Sequence, residues 1–264
     1  ALADDSDRIE GEATVSARLA DGTGEVFLDL APPEAASPGR GMTVTAVTEA
    51  GQPLSHDRSG ERLRIVLARP GRAGERREIV VSYHGVPAGG LLVGPNKHGD
   101  RTFFSDNWPD KARQWLPVVD HPYDKATAEF RVTAPAHYQV VSNGLLVEET
   151  DLGDGRRLSC WRQSVPIASW LYVLGVARFA VEHRPAWKGL PVETWVFPQD
   201  RDRGFEAFAE PTVAALDFFS TRVGPYSYER LANVQANGLK GGMEAATSIF
   251  YGDDSVSGPP RRWD

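Results

Sequence analysis

The residues with the clearest chemical potential form the run Leu239-Lys240-Gly241-Gly242-Met243-Glu244-Ala245-Ala246-Thr247-Ser248-Ile249-Phe250-Tyr251. Two glycines precede a Met-Glu pair, and β-favouring residues follow. Glycine lacks a Cβ, so a second backbone can approach Gly241 and Gly242 closely. An extended peptide can then add to this strand through main-chain hydrogen bonds, the mode called β-augmentation. Glu244 would lie beside the end of the added strand, where a carboxylate binds an α-ammonium by a charge-assisted hydrogen bond. Such a site selects a free amino terminus, because an internal peptide leaves a buried carboxylate unpaired at a cost of about 2–5 kcal/mol. The same string also reads as a glycine bend before an edge strand that carries a solvated glutamate.

The elements that must hold this run are mostly strands. Period-2 alternation marks half-buried strands at Glu12–Leu19, Glu25–Leu30, Arg62–Leu67, Glu78–Tyr83 and Ala128–Thr133. Turn-forming clusters separate them, among them Pro38-Gly39-Arg40-Gly41, Pro87-Ala88-Gly89-Gly90 and Asp154-Gly155. The last reads as a type I′ hairpin turn joining strands near Val147 and Leu158. Near residue 198 the period changes. Phe205, Phe208, Thr212, Leu216, Phe219 and Val223 form one stripe of an amphipathic helix with a single polar lapse. Pro211 falls inside it, so the helix is either kinked there or restarts with Pro211 in its first turn. Gly224-Pro225 ends it, a strand around Leu231–Val234 follows, Asn237-Gly238 turns the chain, and one strand runs from Gly242 to Tyr251. The expected fold is mainly β: an antiparallel β-domain over residues 1–187, then the start of an α/β domain over 188–264.

Bulk properties narrow the function. The chain has 264 residues, 41% hydrophobic and 25% charged, enough for one large or two medium domains with a real core. A formal net charge of −7 argues against nucleic acid or an anionic membrane as partner. The single cysteine, Cys160, excludes an intrachain disulfide and reads as packing in a strand. No apolar run approaches the roughly 20 residues of a membrane span. Ala1-Leu2-Ala3 before Asp4-Asp5-Ser6-Asp7 looks like the end of a removed signal peptide, so an exported location is favoured over the cytoplasm.

The Gly-Gly-Met-Glu segment resembles the glycine–x–Met–Glu–Asn exopeptidase motif of the zinc aminopeptidases related to aminopeptidase N and leukotriene hydrolase. Ala246–Tyr251 is similar to the strand continuation in those enzymes, and Phe219–Tyr228 to the helix–Gly-Pro-Tyr approach. Upstream, Arg113–Ala126 resembles the family's arginine–x–x–x–Pro…Asp–x–Pro loop. Phe130–Pro135 followed by Val141-Ser142-Asn143-Gly144 resembles its strand and Ser-Asn-Gly passage. The resemblance implies a saddle-shaped β-domain followed by a thermolysin-like catalytic domain. It implies that Glu244 binds the substrate's α-amino group while Gly241, Gly242 and Met243 offer backbone contacts. Ala245 departs from the motif's Asn. A second amide or carboxylate is expected from the loop before Arg113; Asn107 is the candidate, with Asp106 and Asp110 as alternatives and an Asx turn as the plain reading.

Hydrolysis in this family needs zinc held by H-E-x-x-H and a further glutamate. This chain has no such motif, and its six histidines, His56, His84, His98, His121, His137 and His183, are scattered through the β-region. His121 reads as turn-capping or packing, and Asp253-Asp254 as a solvated turn. The sequence reaches Pro259–Asp264 about where the zinc helix should begin. The chain is therefore expected to be inactive alone, with zinc ligands in a second chain or a C-terminal segment; a fragment, a split enzyme and a free-standing binding relic all fit. An uncovered helix and strand at 203–251 would expose apolar residues such as Phe219 and Ile249. The alternative function is a non-catalytic interaction module on the same scaffold.

Overall fold

A computed structural model of the chain describes residues 1–33 and 39–256. Pro38 of the expected Pro38–Gly41 turn, and the Pro259–Asp264 stretch, lie outside the described residues. The chain divides into two compact units, the first made of Ala1–Leu91, Asp106–Lys125 and Ala168–Trp170, the second of Leu92–Ser105, Ala126–Ile167 and Leu171 onward.

The first unit holds β1 (Ile9–Arg18), β2 (Glu25–Asp29), β3 (Gly41–Glu49), β4 (Gln52–Pro53), β5 (His56–Ser59), β6 (Arg62–Val66) and β7 (Arg76–Val86). They form two antiparallel sheets, in the orders β1-β7-β3-β4 and β2-β6-β5. Alternation builds the core: Ile79 and Val81 of β7, Leu63 and Ile65 of β6, Leu28 of β2 and Val47 of β3 all face one buried cluster. The loop that follows Asp106 is braced by charge. Arg113 Nε donates to Asp120 Oδ2 at 3.1 Å, and the Ser169 hydroxyl donates to the buried Asp120 Oδ1 at 2.6 Å. Burial disfavours the Arg113 charge, yet the hydrogen bond to Asp120 together with the charges of Asp120, Asp29 and Glu61 outweighs this and raises its pKa.

The second unit holds β8 (Leu91–Pro95), β9 (Arg101–Ser105), β10 (Ala126–Pro135), β11 (Gln139–Ser142), β12 (Leu145–Asp151), β13 (Arg156–Ile167) and β14 (Leu174–Ala177). It continues through β15 (Ala180–Trp187), β16 (Leu190–Val196), helix α1 (Arg201–Arg222), β17 (Leu231–Ala236), β18 (Gly242–Met243) and β19 (Ser248–Gly252). Its sheets run β10-β13-β12, β11-β14-β9-β8 and β15-β16-β17-β19-β18. The five-stranded sheet is mixed: β16, β17 and β19 are parallel neighbours, flanked by antiparallel β15 and β18. Parallel neighbours need a crossover, and α1 supplies it between β16 and β17. Phe104 packs edge-on against Phe250, Phe197 and Phe179, joining the four-stranded and five-stranded sheets in one aromatic core.

The mainly β architecture agrees with the sequence reading, with five differences of detail. The hairpin between β12 and β13 closes with a four-residue loop in which Gly153 and Gly155, not Asp154, take positive φ, so it is not type I′. Helix α1 runs through Pro211 as one element of 22 residues rather than restarting there. Its buried face is Gly204, Ala209, Thr212 and Leu216, whereas Phe219 and Val223 at the end of the expected stripe are 58% and 83% exposed. Ile249, expected to be exposed, packs with Val192, Leu216 and Leu231. Finally, the single strand expected over Gly242–Tyr251 is two strands, β18 and β19, folded back on each other.

Candidate functional site

Strand β18 is the outermost strand of the mixed sheet, with Gly242 opposite Tyr251 and Met243 opposite Phe250. The pairing extends one residue back, since the Gly252 amide donates to the Gly241 carbonyl at 2.8 Å. Gly241 has φ +78°, a left-handed conformation that favours glycine. Nothing lies within 4 Å of a Cβ built on Gly241. A Cβ on Gly242 would meet only the Tyr251 ring and Glu244 Oε1, at 3.7–3.8 Å, which is ordinary contact. The protein's own packing therefore does not require glycine at 242, and the space beside the strand is open.

Glu244 follows β18 directly. Its side chain is exposed and makes no hydrogen bond or ion pair with a described residue. Its carboxylate oxygen near Gly242 shows that it folds back along the strand instead of pointing away from it. Burial, helped by the Glu244 charge, pushes the Tyr251 phenol pKa up. Met243 is half-buried.

The turn after Glu244 is held by distant residues. Thr247 has φ +65°, a strained value for a β-branched side chain. Its Oγ1 accepts from the Gly144 amide at 2.7 Å, and its carbonyl accepts from the Ala232 amide at 2.8 Å. Asn143 Nδ2 donates to the Ala246 carbonyl at 2.7 Å and to the Leu171 carbonyl at 2.9 Å, while its Oδ1 accepts from the Val173 amide at 2.8 Å. A Cβ on Gly144 would lie 1.8 Å from the Arg162 carbonyl oxygen, so only glycine fits there. Arg230, 1% exposed, ties these strands together. It donates to the Gly144 and Ser142 carbonyls at 2.7 and 2.6 Å, to Ser248 Oγ at 2.6 Å and to Glu193 Oε2 at 2.7 Å, and lies over the Trp161 ring. Burial lowers its pKa despite the Glu193 partner. Ser142-Asn143-Gly144 stands out in the sequence only as part of a resemblance, without a task, and Arg230 does not stand out at all. A buried arginine that bonds two backbone carbonyls and two side chains distant in sequence leaves no local sequence pattern.

Asn107 belongs to the first unit and is buried. Its Oδ1 accepts from the Trp115 indole at 2.8 Å, and its carbonyl accepts from the Lys111 amide at 2.9 Å. Asp106 is half-buried and its carboxylate pairs with Lys111 Nζ at 2.6 Å, while Asp110 is exposed. His121 accepts from the Tyr123 amide at 3.4 Å and meets the Tyr123 ring edge-on, a turn role. Cys160 is buried, and burial followed by a hydrogen bond to Glu129 raises its thiol pKa. Among the described residues no three His, Cys, Asp or Glu side chains come together to hold a metal ion. The described residues therefore do not fit zinc.

Residues 2–171 match the model of the peptidase M1 N-terminal domain. The chain belongs to this family. Similar proteins include human glutamyl aminopeptidase, 29% identical over 159 residues, which covers 60% of this chain and 16% of that protein. Leucine aminopeptidase 2 of Neurospora crassa is 31% identical over 164 residues, covering 58% of this chain and 22% of that protein. Among solved structures, an M1 zinc metallopeptidase from Deinococcus radiodurans superposes with TM-score 0.78 at 23% identity, over 92% of this chain and 55% of that one. A variant of that enzyme bound to a Tyr-Ser-Ala substrate gives TM-score 0.80 at 23% identity, over 94% and 57%. The chain thus has the fold of the N-terminal part of an M1 aminopeptidase and spans only part of the length of these relatives. No helix among the described residues is long and apolar enough to cross a membrane.

Proposed function

We propose that this chain is the portion of a zinc metallo-aminopeptidase that binds the amino terminus of a peptide substrate, with zinc held by an H-E-x-x-H segment or partner chain beyond residue 264. On this reading the chain alone is inactive. Glu244 takes the substrate's α-ammonium, and Gly241, Gly242 and Met243 pair with its backbone. The observation that carries the reading is an edge strand with open glycines that ends at an exposed carboxylate with no hydrogen-bond or ion-pair partner among the described residues. The exposure of Glu244 means that this chain by itself does not supply the water exclusion that strengthens such a bond. The remainder of the enzyme supplies it. The α1 crossover between parallel β16 and β17 supports counting residues 188–264 as the start of a thermolysin-like domain that follows a β-domain over 1–187.

Asn107 stays in the proposal as the second group near the amino pocket, though its oxygen already serves Trp115. Asp106, whose carboxylate pairs with Lys111, and the exposed Asp110 remain the alternatives. An exported location is kept as part of the same reading. In the complete enzyme, Glu244→Ala is expected to raise KM and lower kcat for aminoacyl substrates, by roughly 10²-fold or more in kcat/KM. Kinetics close to wild type would remove Glu244 from the site.

A further inference from the structure

The second unit contains a cavity of about 540 Å³ whose lining includes neither β18 nor Glu244. The hairpin turn between β15 and β16 contributes Trp187, Lys188 and Leu190, and the segment between α1 and β17 contributes Pro225, Tyr226 and Glu229. A space of this size suits a compact small molecule. Two of its walls are aromatic, and the face of an aromatic ring attracts a cation. One ring already holds one, since Lys188 Nζ lies 4.4 Å from the centre of Trp187. That ammonium belongs to Asp217, whose Oδ1 accepts from Lys188 Nζ and from the Trp187 indole, each at 3.0 Å.

Glu229, the carboxylate of the cavity, has no such cation. Its Oε1 accepts from the Ser164 amide at 2.8 Å and the Ser164 hydroxyl at 2.9 Å. Its Oε2 has only a long contact from Gln163 Nε2, at 3.5 Å, and Glu229 forms no ion pair with a described residue. The neighbouring Arg230 directs its guanidinium to Glu193, Ser248 and two backbone carbonyls instead. Gln163, 1% exposed, leaves its own Oε1 without a donor. Around Glu229, therefore, acceptors outnumber donors and the one charge facing the cavity is negative.

We propose that this cavity binds a small organic cation, a guanidinium or ammonium carried on a compact apolar body. Glu229 Oε2 accepts from its N–H groups, and the rings of Trp187 and Tyr226 flank the charge. A neutral ligand leaves the carboxylate without its cation, and an anion is repelled by it. Lys188 competes with the ligand for the Trp187 ring.

The test measures calorimetric binding of N-acetylarginine methylamide and of its citrulline counterpart, which has nearly the same shape and no charge, to the complete enzyme. The acetyl cap removes the α-ammonium that Glu244 would take. The arginine compound is expected to bind at least about 10-fold more tightly, through a charge-assisted hydrogen bond and ring contacts together. Glu229→Gln keeps an acceptor for Ser164 and should bring that ratio below about 2-fold. Lys188→Met frees the ring and removes a like charge, and should tighten the arginine compound by about 2–5-fold. Glu244→Ala should change neither affinity, so a failure of the amino-terminus reading leaves this one standing. Equal binding of the two compounds overturns the proposal, as does a preference that survives Glu229→Gln in a protein whose urea midpoint is unchanged. A preference that vanishes in Glu244→Ala places the compound elsewhere and also overturns it. If Glu229→Gln does not fold, Lys188→Met decides, and an affinity for the arginine compound that is unchanged or weaker overturns the proposal.

Discussion

At the scale of single residues, the carboxylate and the glycines are the visible part of the site, and a buried arginine fixes their place. Arg230 satisfies three oxygen acceptors on β11, β19 and the turn after β11, and pairs with Glu193, which also accepts from the Trp195 indole at 2.9 Å. Removing the guanidinium would strand Glu193, whose side chain is 12% exposed, without its cation. We expect Arg230→Met to destabilise the protein by about 3–5 kcal/mol, the range for breaking one side of a buried pair. A urea midpoint within error of wild type would show that the network is not what holds the turn. By contrast Glu244 and Lys240 contribute little to folding, because both are exposed and make no hydrogen bond or ion pair with a described residue, and substitutions there should leave the midpoint where it is.

At the scale of elements, the sequence was most legible where a single face decides burial. Alternation located β1, β2, β6, β7 and β10, since each has a buried face on which side chains recur with period two. The division of the last strand into β18 and β19 was not legible, because it depends on Thr247 adopting φ +65° under hydrogen bonds from Asn143 and Gly144, 103 residues away. Local propensity at Ala245–Ile249 favours one extended strand, and a tertiary contact overrules it. The helix shows the same limit. Thr212, which looked like a polar lapse, faces the sheet and accepts a hydrogen bond from Asn233 Nδ2 at 2.8 Å, whereas Phe219 and Val223 lie past the point where the sheet supports the helix.

The start of α1 also predicts a pH dependence. Asp200, at the helix N-cap, accepts from Lys97 at 2.9 Å, His98 at 3.0 Å and Gln235 at 2.8 Å. Burial would raise its pKa, but these partners outweigh burial and hold it below the usual 3.8. A carboxyl whose folded pKa is depressed adds stability above its unfolded value, and that stability is lost as pH falls through the folded value. Wild type should therefore lose more stability than Asp200→Asn between about pH 5 and pH 2, measured by urea unfolding across that range. Parallel acid limbs for the two proteins would show that Asp200 does not titrate with folding.

At the scale of the whole molecule, the family and the mainly β architecture follow from several landmarks in the right order, whereas among the described residues no three His, Cys, Asp or Glu side chains gather to hold a metal ion. The candidate site was legible as far as its glycines and its carboxylate, because their types and order suggest the chemistry. Its supports were hidden, since Asn143, Gly144 and Arg230 act through contacts that only the fold creates. The most direct measurement of the central claim is made on the complete enzyme with calorimetric binding of a tripeptide and its N-acetylated twin, under conditions where cleavage is blocked. Wild type should bind the free amine at least about 30-fold more tightly, corresponding to about 2 kcal/mol for a charge-assisted bond in a closed site, and Glu244→Gln should erase most of that difference. Equal affinity for the two peptides in wild type, or an undiminished preference in Glu244→Gln, would contradict the account.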